Sequence, residues 1–491
     1  MAMQGLFING EWGPAMNGEK LDSIDPATGE VLARFPVAGE RETVAAIESA
    51  ERAWTRWRHT PPPERGEIIG RAVDHLRHHK DVIGEMVTRE MGKVIAEGRG
   101  DVQEAIDFLG FIAGEGRRLR GETTTSELPD KFAMTLRQPI GVVGCITPWN
   151  FPTAIPAWKI GAALISGNSV VFKPASQTPQ CAAMLVEAFE QAGLPKGVLN
   201  LVTGPAGRVG RELVENPRVR AVSFTGGVPA GTDVYTRAAK LLKPVELELG
   251  GKNPQLVMDD ADIELAIEGV LFGAFGSAGQ RCTATSRLVI HKDVYDRVLE
   301  RLLERTAELR VGDPLDETID MGPLSSQQQL ETVLGYIDSG RDEGAELLAG
   351  GNKLGGASYD RGFFVEPTVF AAEHGMRITR EEIFGPLLAV LRAEDYGDAV
   401  RIANDVDYGL AASIYTRDIN TAQRAIRDLD AGVMYVNAPT IGAEVHLPFG
   451  GLKHSGNGGR EAGSAAIEEF TEIKTVFIDY SGRLQKAQIR D

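Results

Sequence analysis

The sequence predicts an α/β protein: a doubly wound parallel sheet, a second α/β domain and a β arm. Three observations predict this. Apolar strands GVVGCI (141–146), SVVFK (169–173), VLNLV (198–202), VRAVSFT (219–225) and VELEL (245–249) start 28, 29, 21 and 26 residues apart. That is the rhythm of right-handed strand–helix–strand crossovers, and continuous apolar strands fit a sheet covered on both faces. After Gly250-Gly251 a second strand–helix alternation runs to about residue 450. Two β-prone stretches, 121–137 and Phe470 to Tyr480 within 468–491, belong to neither pattern.

In chain order, turn signals come first: Asn9-Gly10, Asn17-Gly18, Asp25-Pro26 and Thr28-Gly29 separate short β-prone runs and predict hairpins. Residues 42–116 repeat apolar positions at three- and four-residue steps, the mark of helices, with a break at Pro61 to Pro63. Residues 121–137 read as a hairpin around Pro129-Asp130, an arm suited to pairing with another subunit. Helices are expected at 154–165, 179–192, 207–215 and 229–241 between the five strands. In the second domain they are expected near 262–277, 293–309, 395–404 and 419–428, alternating with strands RLVIH, LLAVLR, AASIYT and GVMYVN. The expected division is 1–120 with 138–250, then 251–450, with 121–137 and 468–491 as the arm.

Composition narrows the function classes. Of 491 residues, 43% are hydrophobic and 25% charged, a globular balance. A net charge of −17 disfavours nucleic acid and acidic membrane surfaces as partners. The three cysteines, Cys145, Cys181 and Cys282, form neither a disulfide framework nor a zinc spacing. With no export signal at MAMQGLFINGEW and no apolar run of transmembrane length, a cytoplasmic chain is expected.

Cys282 sits in FGAFGSAGQRCTATSR among residues too small to wall it off, with Arg281 beside it. A reactive thiol needs access and nearby positive charge, whereas a buried small hydrophobe needs neither. Ligands of a parallel sheet gather at strand carboxyl ends. There the sequence places Thr147-Pro148-Trp149-Asn150, Lys173-Pro174-Ala175-Ser176, Gly204 and Gly207, Phe224-Thr225-Gly226-Gly227 with Gly231, and Glu248-Leu249-Gly250-Gly251-Lys252. A glycine turn opening a helix cradles phosphate through bare N–H groups and the helix dipole, although the same glycines also serve tight packing.

Taken together, PWNFP (148–152), KPAS (173–176), FTGG…G (224–231), ELGGK (248–252), GQRC (279–282), EEIFGP (381–386) and PFGGLKHSGNGGRE (448–461) resemble the aldehyde dehydrogenase superfamily, in order along essentially the whole chain. The resemblance implies a Rossmann-like cofactor domain, NADP and/or NAD as cofactor, and a small-molecule aldehyde as substrate. It implies Cys282 as nucleophile, Glu248 as general base, and the Asn150 side chain with the Cys282 N–H as oxyanion donors. Lys159 and Glu461 resemble a proton-relay pair. Lys173 matches the lysine on the adenosine ribose, Glu382 and Phe384 the residues at the nicotinamide ribose and ring. Thr147, Pro148, Trp149, Gly207, Phe224, Gly226, Gly231, Leu249 and Gly250 fall on the cofactor cleft. Ile155, Trp158 and Phe449 match substrate walls, and the arm implies a homo-oligomer, dimer or tetramer.

Departures from the family pattern sharpen the expectations. Ser176 replaces a glutamate that many NAD-dependent relatives use on the adenosine ribose, leaving room for a 2′-phosphate beside Lys173. Gly227 replaces a serine at the pyrophosphate. Gly276 stands where some relatives carry a bulky aromatic, which predicts a roomier mouth. Arg281 either pairs with the far carboxylate of a semialdehyde, as in relatives acting on 2,5-dioxopentanoate, or makes an interdomain salt bridge. The arginine near Trp158 expected of succinate semialdehyde enzymes is absent. Other classes fit less well: a thiol hydrolase needs a histidine these motifs lack, a CoA-acylating enzyme usually lacks the base that Glu248 supplies, and a non-catalytic nucleotide-binding scaffold need not keep Cys282 and Glu248.

Overall fold

The computed structural model describes residues 5–488. In the first sheet the five predicted strands lie in the spatial order Val245–Glu248, Val219–Thr225, Val142–Ile146, Ser169–Lys173, Leu199–Leu201, all parallel. The chain winds outward both ways from Val142–Ile146, so the ligand crevice opens at that strand's carboxyl end, where the order reverses. Leu6–Ile8 and Glu11–Gly13 extend the far edge, antiparallel, through a turn with Asn9 and Gly10 at φ 56° and 74°. Side chains alternate between two cores. Val143, Cys145, Val170 and Phe172 join one, with Ile160 and Leu164 of the helix Ala154–Ile165; Val142, Ile146 and Val171 join the other, with Ala46 and Ile47 of the helix Glu40–Trp57. That two-residue period, apolar on both faces, is why the strands read as unbroken hydrophobic runs.

The helical stretch is four helices: Glu40–Trp57, Pro62–His78, Lys80–Met91 and Ile95–Glu115. Pro62 opens the second, where its missing N–H costs nothing, and Gly92 closes the third at φ 92°.

The second sheet runs Glu346–Ala349, Thr368–Ala371, Leu387–Ala393, Thr285–His291, Asn253–Val257, Ala411–Tyr415, Val433–Val436, parallel except at its first pair. The interior strand Asn253–Val257 escaped the sequence reading because NPQLV carries a proline and two amides. The ladder shifts register at Asn253/Pro254, and buried Gln255 donates its Nε2 to the Ala266 carbonyl at 2.9 Å while its Oε1 is unpartnered. The helix Gln327–Asp342 was overlooked too; its buried stripe is only Leu330, Val333, Ile337 and Gly340.

The arm pairs Lys131–Pro139 antiparallel with Thr471–Asp479 along nine residues each, and Thr123–Thr125 lies on the other side of Lys131–Pro139. The tail's partner is thus the arm. Just before it, Ala466, Ile467 and Phe470 pack into the core of the first sheet. Among the described residues no helix is long and apolar enough to cross a membrane.

Candidate active site

Only Leu249-Gly250-Gly251-Lys252 joins the last strand of the first sheet to the first strand of the second. The carboxyl ends of one sheet therefore face the amino ends of the other, and the candidate residues meet in that gap. In the parallel pair at the sheet edge, Ser223 lies opposite Glu246 and Thr225 opposite Glu248. Residues two apart on a strand share a face, so both polar pairs point the same way.

Cys282 lies between the turn Gly276–Gly279 and the strand Thr285–His291. Ser277, Ala278 and Gly279 all take left-handed φ values, 51°, 53° and 67°. Two of these are not glycine, a conformation costing on the order of 1 kcal/mol each. The turn is tied down: the Ser277 N–H donates to both oxygens of Glu97 (2.9 and 3.0 Å), and Asn253 Nδ2 donates to the carbonyls of Cys282 (2.8 Å) and Ala284 (2.9 Å). A Cβ on Gly251 would lie 2.7 Å from the Cys282 carbonyl, so only glycine lets the link pass Cys282.

Half-buried Cys282 forms a common wall of two cavities. One is lined by Trp149, Asn150, Gly226, Leu249, Glu382 and Phe384, the other by Ile155, Trp158, Glu248, Arg281, Phe449 and Glu461. The first also takes in Pro148, Thr225, Gly227 and Gly250. Trp149 and Phe384 meet edge to face, with ring centroids 5.4 Å apart, and Trp158 and Phe449 do the same at 5.5 Å. Phe384 holds φ 58°, and Gln329, from the overlooked helix, donates to its carbonyl at 2.8 Å.

Burial, and after it the carboxylates Glu382, Glu248 and Glu461, push the Cys282 thiol up. The thiol is therefore neutral at rest, and the expectation of a neighbouring positive charge is corrected. Arg281 turns away to Glu97, Nη2 to Oε1 at 2.7 Å, with Nε donating to Ser277 Oγ at 3.2 Å. It joins the nucleophile turn to the helix Ile95–Glu115, the salt-bridge alternative, while still lining the substrate-side cavity. The roomier mouth predicted from Gly276 is also corrected: a Cβ there would meet Glu97, Phe272 and Arg281, which fill that space.

Glu248 is buried and neither carboxylate oxygen has a partner; Gly450 leaves room for it, since a Cβ there would lie 2.5 Å from Oε1. Burial first, then Glu461 and Glu246, raise its carboxyl well above the ordinary range. Asn150 Oδ1 is likewise buried without a partner. Lys159 Nζ donates to Ser223 Oγ (2.7 Å), Glu246 (3.0 Å) and Glu461. Burial alone would depress Lys159, but Glu246 and Glu461 outweigh it and hold the ammonium. Glu246 was overlooked, although Val-Glu-Leu-Glu places it on the same strand face as Glu248.

On the cofactor side, the Gly226 N–H donates to the Glu248 carbonyl (3.1 Å), and Gly227 caps the helix Val228–Ala239. A Cβ on Gly231 would lie 2.5 Å from Leu249 Cδ2, and one on Gly226 2.7 Å from the Phe224 ring. These two glycines serve close packing, whereas open Gly227 leaves the helix N-terminus bare. Gly207 lies in the exposed turn Ala206–Gly210 with open space around it; a Cβ on its neighbour Gly210 would lie 3.7 Å from Lys173 Cδ. Lys173 is buried, donates only to the Pro174 carbonyl (2.8 Å) and has no carboxylate partner among the described residues; burial lowers it to about 8. Ser176 is half-buried three residues on, and buried Thr147 Oγ1 is unpartnered. Unpaired Lys173, orphaned Thr147 and the bare helix N-terminus fit an adenine dinucleotide. Glu382 accepts from the Gly251 N–H at 3.1 Å, and burial raises it to about 7.

Residues 12–476 match the aldehyde dehydrogenase family. The chain is 43% identical over 474 residues to alpha-ketoglutaric semialdehyde dehydrogenase of Bacillus subtilis, covering 96% of this chain and 97% of that one. It is 41% identical over 477 residues to the NADP+ succinate-semialdehyde dehydrogenase GabD of Escherichia coli, covering 97% and 98%. The crystal structure of betaine aldehyde dehydrogenase from Staphylococcus aureus in complex with NAD+ superposes with a TM-score of 0.96 at 33% identity, covering 99% and 97%. The chain belongs to the aldehyde dehydrogenase family, NAD(P)-dependent enzymes that oxidise aldehydes.

Proposed function

We propose that Cys282 attacks the aldehyde and that Glu248 serves it as base. The observation that carries this is the place of Cys282 as the wall shared by two cavities, with an unpaired buried carboxylate beside it. A neutral thiol needs a proton acceptor to become the nucleophile, and a carboxylate raised by burial is matched to that task. The Asn150 side chain and the Cys282 N–H stabilise the oxyanion of the thiohemiacetal. The nicotinamide, when bound in the Trp149–Phe384 cavity, supplies the hydride acceptor. The Lys159–Glu461–Glu246 cluster relays the thiol's proton away from Glu248, which then takes another from water as the water attacks the thioester and the Cys282 sulfur leaves. Mixing the protein with NAD(P)+ and a panel of aldehydes without CoA, while following NAD(P)H absorbance, tests the reading; no turnover with any aldehyde refutes it.

The substrate class we propose is an acidic semialdehyde such as 2,5-dioxopentanoate. Support comes from the two semialdehyde dehydrogenase relatives and from Arg281, a cation on the wall of the cavity that also holds Trp158, Phe449 and Cys282. The Glu97 pair takes part of the guanidinium charge, so Arg281 attracts a carboxylate less strongly than a free arginine. Lys173 without a carboxylate partner and Ser176 in place of a carboxylate support acceptance of NADP+, preferred or alongside NAD+. Comparing kcat/KM for the two cofactors tests this; a preference for NAD+ above about 100-fold, close to 3 kcal/mol, overturns it. The arm supports a homo-oligomer.

A further inference from the structure

We propose that Glu104 determines specificity: as a neutral carboxylic acid it donates a hydrogen bond to the distal carboxylate of an acidic aldehyde, and once ionised it repels that substrate. The inference rests on the acidic-semialdehyde reading above.

Glu104 stands on the helix Ile95–Glu115, seven residues after Glu97 and three after Asp101, spacings that share one helix face. Each earlier carboxylate is occupied. Glu97 takes Arg281 and the Ser277 N–H. Asp101 takes Lys93 at 3.3 Å and the N–H groups of Thr153 and Ala154, holding the start of the helix Ala154–Ile165. Glu104 is left over. Among the described residues nothing donates to it, and it lines the cavity that holds Cys282, Trp158 and Phe449.

The charges around it are Asp101 and Asp107 from its own helix, Lys93 from the preceding turn and Arg281 from the nucleophile turn. Glu248 and Glu461 line the same cavity. Both nearby cations already have carboxylate partners, so ionised Glu104 would add a full negative charge with none to offset it. Burial, and next Asp101, push its carboxyl up to about 8, which keeps it protonated at neutral pH. A substrate carboxylate reaching this end of the cavity finds Arg281 as countercharge and the Glu104 hydroxyl as donor. Hydrogen bonds to a charged acceptor are the strong ones.

Succinate semialdehyde and butanal have the same carbon count and differ by the carboxylate, so comparing KM for both from pH 6.5 to 9.5 tests the proposal. Above about pH 8, KM for succinate semialdehyde is expected to climb towards tenfold per pH unit, the limiting slope of one ionisation, while KM for butanal stays level. Glu248 and Glu461 meet both substrates, so the E104Q variant assigns the difference: a permanently neutral amide flattens the climb. Equal pH dependence for both aldehydes, or a climb that persists in E104Q, overturns the proposal. If E104Q does not fold, Glu104→Ala serves the same comparison: with no ionisable group at 104 the climb flattens, and a climb that persists overturns the proposal. An enzyme that oxidises butanal and leaves acidic semialdehydes untouched refutes the substrate reading itself, a different result from acidic turnover with a level KM.

Discussion

Glu248 combines two features that ordinarily exclude each other: it is buried, and it has no partner. Burying a carboxyl without a partner among other carboxylates is costly, and in the proposed mechanism that cost keeps a proton acceptor beside Cys282. Glu248→Gln is expected to lower turnover by roughly 100- to 10,000-fold, the usual worth of a general base. Steady-state NAD(P)H production measures it. Because burial and the neighbouring carboxylates raise Glu248, and the ionised form is the active one, activity should rise with pH along a limb well above the ordinary carboxylate range. A pH–rate profile of the wild type already falling above pH 5 would contradict this. Cys282, Asn150 and Glu248 were legible in the sequence because each sits in a motif. Glu246, Gln329 and Glu104 were not, since what stands around each comes from other elements of the fold. Glu246 alone left a local trace, its two-residue spacing from Glu248.

At the scale of elements, the nucleophile turn is held from outside rather than by its own geometry. Three left-handed residues in a row would relax if released, and the restraints come from the helix Ile95–Glu115 and the strand Asn253–Val257. Asn253→Ala removes the two bonds its Nδ2 donates and the one its Oδ1 accepts from the Ala411 N–H at 3.0 Å, leaving the Cys282 and Ala284 carbonyls and that N–H unpaired. A loss of about 1–3 kcal/mol is expected by denaturant unfolding, together with a slower first turnover by stopped flow. The parallel strands were legible because apolar runs and glycine-rich turns recur at crossover spacing. Asn253–Val257 escaped because its proline and amides deny the usual strand signature, and the Asn253 amide finds its partners in other elements instead. Gln327–Asp342 escaped because one narrow apolar stripe among glutamines resembles a surface loop.

At the scale of the molecule, the arm presents apolar side chains to solvent: Phe132, Leu136, Ile473, Phe477 and Ile478 are all exposed. Thr471–Asp479 is also an edge strand with one side unpaired, the kind of surface that another chain covers. Ile473→Asp combined with Phe477→Asp should shift the protein to a smaller species in size-exclusion chromatography with light scattering. An unchanged mass would remove the arm from the assembly.

The pairing of Lys131–Pro139 with Thr471–Asp479 joins segments more than three hundred residues apart. Contacts of that separation form late, because a long loop must close first. During synthesis both seven-stranded sheets emerge before Thr471 does, and until then Lys131–Pro139 offers a bare backbone edge. Thr471–Asp479 is thus the strand that completes the arm. Any contact made through the finished arm must therefore follow the synthesis of Thr471–Asp479, which places the arm after both sheets in the order of folding.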